Sequence, residues 1–191
     1  MKNNPKPTIY TIGHSTHSME WFLELLQAFH IEVLADIRHF PGSRKFPWFN
    51  EENMQATLSY TAIQYVHLPG LGGRRKVSPQ SKNNLWHNAS FRAYADYMET
   101  DAFKIAVSEL EEIALKRTTA FMCSEALWWR CHRSMVSDYL KAKGWCVLHI
   151  MNKGKVEEHP YTSPARIVED RVFYFDENLF YPYTNEPKSK F

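Results

Sequence analysis

Two rhythms of apolar residues alternate along this chain, and their order predicts its architecture. Short runs rich in β-branched and aromatic residues, TIYTIG at 8–13 and EVLADIR at 32–38, flank a segment from 18 to about 29. Within that segment Trp21, Phe22, Leu25, Leu26 and Phe29 fall on one side of a helix, so the three pieces read as a βαβ unit. A short helix opened by Asn50, a strand IQYVHLP and two helices with N-caps at Ser90 and Asp101 follow. The second of these helices carries an apolar stripe of Phe103, Ala106, Val107, Leu110, Ile113 and Ala114, which suits packing on a sheet face. TAFMC then reads as a strand, 131 to about 143 as a helix with Met135, Val136, Tyr139 and Leu140 inward, and CVLHIM as a final strand after the stop at Gly144.

This order predicts a single three-layer Rossmann-like α/β domain over 1–164, with a mainly parallel sheet and helices on both faces. From Glu157 onward the pattern dissolves into Pro, Tyr and charged residues. Residues 165–191 are therefore expected to be an extension lying on the domain or on a partner. Composition agrees with a folded domain: 44% hydrophobic and 15% aromatic residues can fill a sizeable core, which excludes disorder throughout. The net charge of +2 falls short of a balance that would itself argue for nucleic acid, so any basic patch must be local. An odd count of three cysteines and an opening MKNNPKPTIY without an apolar leader lead us to expect free thiols and a cytoplasmic setting. Apolar runs such as CVLHIM are far shorter than the ~20 residues of a bilayer span, so no membrane is expected.

Open parallel sheets bind ligands beyond the carboxyl ends of their strands. Here those ends are furnished with GHSTHS (Gly13 to Ser18), Asp36 and Arg38 ahead of HFPGSRKFPWF, His67 ahead of GLGGRRK, and Cys123, Ser124 and Glu125 ahead of Cys131, His132 and Arg133. Several familiar signatures fail. The spacing from Cys123 to Arg130 is one residue too long for a cysteine-phosphatase loop, GHSTH is not a nucleophile elbow, and neither a P-loop nor a dinucleotide fingerprint is present. Cys123, Cys131 and His132 have the residue types of a zinc site, but adjacent residues of a regular helix project about 100° apart. On that geometry Cys131 and His132 diverge, so no metal and no cofactor is expected. Arg133 and His132 at a helix N-terminus are misplaced for the helix dipole unless an anion sits there, which favours a phosphate or carboxylate ligand. Glu125 is then the acid/base candidate, walled by Trp128 and Trp129.

TIGHS, DIRHFPGSR, YVHLPGLGG, FRAYADYM, FMCSEALWWRCHR and CVLHI together resemble an uncharacterised prokaryotic family catalogued as domain of unknown function 488, from about Thr8 to Ala165. The resemblance implies a Rossmann-like α/β domain. It places the family's shared polar positions on Gly13, His14, Ser15, Asp36, Arg38, Pro41, Ser43, Arg44, His67, Leu68, Gly72, Gly73, Cys123, Glu125, Cys131, His132 and Arg133. Trp128 and Trp129 depart from it, standing where the family commonly has less bulk. It names no reaction.

Three functions follow as expectations. The first is a hydrolytic or group-transfer enzyme on a nucleotide or nucleic acid. In it Arg38, Arg44, Arg133 and the loop Arg74, Arg75 and Lys76 contact phosphate, Phe46, Trp48, Phe49, Trp128 and Trp129 offer stacking faces, and the remaining substrate contacts come from Ser15, Asp36, His67, Gly72, Gly73, Cys131 and His132. Glu125 serves as acid/base, His14 orients water or polarises the substrate, and Cys123 is the alternative nucleophile. The second is an enzyme on a small phosphorylated or carboxylated metabolite, which needs only one or two of those arginines. The third is a non-catalytic ligand- or redox-sensing module built on Cys123 and Cys131.

Overall fold

Strands β1 (Thr8–Gly13), β2 (Val33–Asp36), β3 (Gln64–His67), β4 (Thr119–Cys123), β5 (Cys146–Asn152) and β6 (Lys155–Glu158) form one sheet in the order β3-β2-β4-β1-β5-β6 in the computed structural model, which describes residues 5–176. All neighbours pair in parallel except β6, which runs antiparallel on β5. Because side chains alternate across a strand, the sheet presents two apolar faces. One carries Ile12, Leu34, Ala120 and Met122 and is covered by α1 (Met19–Ala28) and α2 (Glu51–Leu58) through Phe22, Leu25, Leu26, Met54 and Leu58. The other carries Ile9, Ala35, Phe121 and Val147 beneath α3 (Ala89–Met98), α4 (Asp101–Lys116) and α5 (Arg133–Ala142). The molecule is a mixed α/β domain with a three-layer, Rossmann-like arrangement.

The order of strands creates the binding edge. From β1 the chain passes through α1 and over β4 to reach β2, whereas from β4 it passes through α5 and over β1 to reach β5. Adjacent strands whose connections leave in opposite directions open a crevice at their carboxyl ends.

Local differences from the sequence reading have physical causes. Asn88, not Ser90, caps α3 by accepting from the Ser90 and Phe91 amides, and Thr100, not Asp101, caps α4 through the Phe103 amide. Helix α5 starts at Arg133, two residues later than expected, because Trp128–Arg130 close a 3-10 turn and leave Cys131 extended at φ −130° and ψ 149°. The added strand β6 follows a turn at Gly154, whose φ is +66°. Residues 165–176 lie on the domain: β7 (Arg166–Val168) and β8 (Arg171–Phe173) form a hairpin, and Tyr174 beyond it is buried against α5. The remainder of the expected extension falls outside the described residues.

Candidate functional site

At the crevice the β1/β4 ladder continues past both strands, with the amides of His14 and Ser15 donating to the carbonyls of Cys123 and Ser124 at 3.0 and 2.9 Å. The crossing is tight. A Cβ at Gly13 would lie 1.9 Å from the Glu125 carbonyl oxygen, so no other residue fits there. Ser15 takes the left-handed conformation, φ 49°, a strained choice for a side-chain-bearing residue that turns the chain into the cleft.

The cleft above this crossing has a volume of about 780 Å³. Its more buried lining is His14, Ser15, Arg38, Cys123, Cys131 and His132; Ser124, Glu125 and Arg130 from the loop after β4, and Phe40, Phe46, Gly73, Arg74 and Phe91 from other segments, complete it. Glu125, Arg74 and Arg130 are exposed. Neither of these arginines has a carboxylate partner among the described residues, although Arg74 lies over the Phe40 ring at 5.9 Å.

Beneath this lining sits a closed polar network. Asp36, fully buried at the end of β2, accepts from the Arg38 amide, from Nε and Nη2 of Arg38, and from the Tyr65 hydroxyl at 2.8 Å. Arg38 Nη2 also donates to the Phe49 carbonyl, and Nη1 approaches His14 Nε2 at 3.3 Å. Since the guanidinium can only donate, Nε2 is an acceptor, and Nδ1 carries the proton it gives to the Ser15 carbonyl at 3.0 Å. Burial, reinforced by the Arg38 charge, pushes the His14 pKa down to about 4, so the ring stays neutral and stacks on Phe49 with centroids 4.2 Å apart.

Deeper along β4, His132 Nδ1 lies 4.0 Å from Cys123 Sγ and 3.6 Å from Cys131 Sγ. The three donor atoms all fall within 4.8 Å of one another. The expectation that Cys131 and His132 diverge assumed a regular helix; both precede α5, and the extended Cys131 turns its sulfur to the same point as the imidazole. A hydrogen bond from Cys131, together with His132 and Arg133, holds the Cys123 thiol well below its usual range against the effect of burial. Burial and the neighbouring Cys123 push Cys131 the other way.

Arg133 is not a grip on a ligand. It is 1% exposed, and its guanidinium spans the crossing from below, donating through Nη1 to the Thr11 hydroxyl at 2.8 Å and through Nη2 to the Glu125 carbonyl at 2.6 Å. The Thr11 hydroxyl, 3.4 Å from His149 Nδ1, starts a buried relay in which His149 Nε2 meets His159 Nδ1 at 2.9 Å and His159 Nε2 meets Asp138 at 3.0 Å. Asp138 also accepts from the amide and hydroxyl of Thr162 and from Tyr174. Every bond is satisfied if each imidazole is neutral and protonated on Nε2, giving one direction of donation from Arg133 to Asp138.

Of the residues singled out in the sequence, His14, Ser15, Arg38, Ser43, Phe46, Gly73, Arg74, Cys123, Ser124, Glu125, Cys131 and His132 line the cleft. The others do not. Asp36 and Arg133 lie beneath it, and Trp128 is buried with its indole stacked on His149, so it offers no face to a base. His67 holds the Arg38 carbonyl at 2.9 Å, Gly72 packs on the His39 backbone, and Arg44 is exposed outside the lining. Cleft residues that were not singled out include Arg130 and, at the start of α3, Asn88, Ser90 and Phe91. The motif FRAYADYM marked that helix without showing that its first turn faces the site.

Comparison with family models matches residues 18–140 to the family described as Domain of unknown function DUF488. No curated protein and no solved structure matches the chain.

Proposed function

The chain belongs to the DUF488 family, whose description names no reaction, and from the cleft itself we propose an enzyme that hydrolyses or transfers a group on a nucleotide or a nucleic-acid end. One observation carries the reading. A single cleft of about 780 Å³ combines an exposed carboxylate, a neutral buried imidazole, two cations without a carboxylate partner among the described residues and three aromatic rings. Its volume lies within the ~300–1,000 Å³ typical of small-ligand sites, which suits one nucleotide unit better than a long strand. Arg74 and Arg130, both exposed, are the phosphate contacts, and Phe40, Phe46 and Phe91 are the surfaces for a base.

Glu125 is the acid/base group, because it faces the cleft on a loop fixed by Arg133. The lone pair of His14 Nε2 is directed at Arg38, so His14 orients that arginine instead of taking a proton. The test is a binding and turnover screen of nucleoside mono-, di- and triphosphates and short labelled oligonucleotides across a salt series. The expected outcome is saturable, salt-weakened binding that falls at least tenfold in the double variant Arg74→Ala/Arg130→Ala, with Glu125→Gln binding normally but turning over at least a hundredfold more slowly. No nucleotide or oligonucleotide binding at low salt refutes it.

A second reading, an enzyme on a small phosphorylated or carboxylated metabolite, is favoured by the internal use of Arg38 and Arg133. Two exposed cations suffice for one such anion. Binding of those metabolites alone in the same screen selects it.

A further inference from the structure

The geometry points to a metal site in the more buried lining of the cleft, in which Cys123, Cys131 and His132 Nδ1 hold a zinc-class ion and leave its fourth position open. This inference goes beyond the nucleotide reading and stands whatever occupies the mouth of the cleft. The argument is one of distances. For a tetrahedral ion with sulfur at ~2.3 Å and imidazole nitrogen at ~2.0–2.1 Å, the sulfur-to-nitrogen edge is about 3.6 Å and the sulfur-to-sulfur edge about 3.8 Å. The two sulfur-to-nitrogen separations here are 3.6 and 4.0 Å, and all three donors lie within 4.8 Å. Small side-chain shifts therefore complete the set without moving the backbone.

Donor chemistry narrows the ion. Two sulfurs and one imidazole suit a borderline-soft cation and exclude the oxygen-seeking magnesium and calcium. The surroundings have outer-shell character: the Arg133 amide donates to Cys131 Sγ at 3.5 Å, and the Ser124 hydroxyl lies 3.9 Å from Cys123 Sγ. Gly73 sets the place of the imidazole. A Cβ there would lie 2.6 Å from Nδ1, 2.9 Å from Cγ and 3.1 Å from Cε1, over the ring face, so any other residue would push the ligating ring out of position.

Three protein ligands lining a cleft are the pattern of a catalytic and not a structural zinc site. A water in the fourth position would be acidified by the ion and would lie in the same cleft as Glu125 and Ser124. The Cys123–Cys131 pair alone would also suit a disulfide switch. The third donor, Nδ1 close to both sulfurs, favours the ion.

The test uses the full chain, reduced and stripped of metal, titrated with Zn(II) against a chromophoric chelator and with Co(II) by absorbance. The expected result is one equivalent of tight binding, with a thiolate-to-cobalt charge-transfer band and the visible bands of a tetrahedral site. Cys123→Ser, Cys131→Ser and His132→Ala should each weaken Zn(II) binding about a hundredfold or more. Gly73→Val, which keeps every ligand, should weaken it at least tenfold, and Cys146→Ser should leave it unchanged. Circular dichroism of each variant separates lost binding from lost fold. Absence of stoichiometric binding by the reduced protein overturns the site, as does binding that survives in Gly73→Val and Cys131→Ser when both are folded. A Cys123–Cys131 disulfide formed in air by a protein that binds no Zn(II) when reduced would replace the metal with the switch.

Discussion

Acidification should destabilise this protein through His149, because the native state withholds a proton that the unfolded chain accepts. The ring is enclosed between the Trp128 indole, the Thr11 hydroxyl and His159, with Arg133 one hydrogen bond further on and Asp138 beyond His159. Burial first, then electrostatic interaction with His159 and with Arg133, lowers its pKa from 6.5 to about 2. The sign follows from proton counts. Below pH ~6.5 the unfolded chain binds one more proton than the native state at this position, so stability is complete above that pH and declines as the pH falls towards ~2. The slope approaches ~1.4 kcal/mol per pH unit, and integration from pH ~7 to ~5 gives about 2 kcal/mol for this one side chain. Urea unfolding of wild type and His149→Gln at both pH values isolates it, since every other titrating group is common to the two. The variant, whose amide can still donate to His159, should be less stable at neutral pH but lose about 2 kcal/mol less on acidification. Equal losses in the two proteins, within ~0.5 kcal/mol, would refute the neutral relay.

Arg133→Met preserves bulk but strips donors from the Thr11 hydroxyl and the Glu125 and Ala126 carbonyls, and should cost about 3 kcal/mol or more in urea unfolding. Gly13→Ala sets a Cβ 1.9 Å from the Glu125 carbonyl oxygen and should cost about 4 kcal/mol or abolish soluble expression, whereas Gly42→Ala, with nothing within 4 Å, should shift stability by less than ~0.5 kcal/mol. Asp36→Asn leaves a buried guanidinium without its carboxylate and should cost about 3–5 kcal/mol, read from the same unfolding curves.

The parallel strands and the helices are legible in the sequence because each buries a face or a run of apolar residues: β4 is buried throughout and apolar after Thr119, and α4 shows its stripe of Phe103, Ala106, Val107 and Leu110. Strand β6 is not legible, since KVEE lies at the sheet edge with only Val156 partly buried and so lacks an apolar rhythm. Site residues divide in the same way. His14 and Glu125 stand in the loops beyond β1 and β4, and strand-end reasoning places them in the cleft. Arg133 and Trp128 sit in an equally suggestive motif yet are drawn inward by Thr11 and His149, partners distant in sequence, and composition favours an exposed arginine until those partners are known. The metal geometry was hidden for a local reason: a 3-10 turn at Trp128–Arg130 resets the direction of Cys131, and helical periodicity does not register such turns.

The amides of His14 and Ser15, bonded to the carbonyls of Cys123 and Ser124, have a mechanical consequence. They stitch the loop after β1, which bears His14 and Ser15, to the loop after β4, which bears Glu125 and Cys131, as firmly as neighbouring strands, so this half of the cleft behaves as an anvil. The lining residues Phe40, Phe46, Arg74 and Phe91, by contrast, are carried by the irregular segments after β2 and β3 and by the first turn of α3. Adaptation to ligands of different shape therefore falls on those segments. On the enzymatic reading proposed above, exchanging those segments should retune which ligands bind while leaving Glu125 and its loop in place, a division of labour between a fixed wall and a replaceable selective one.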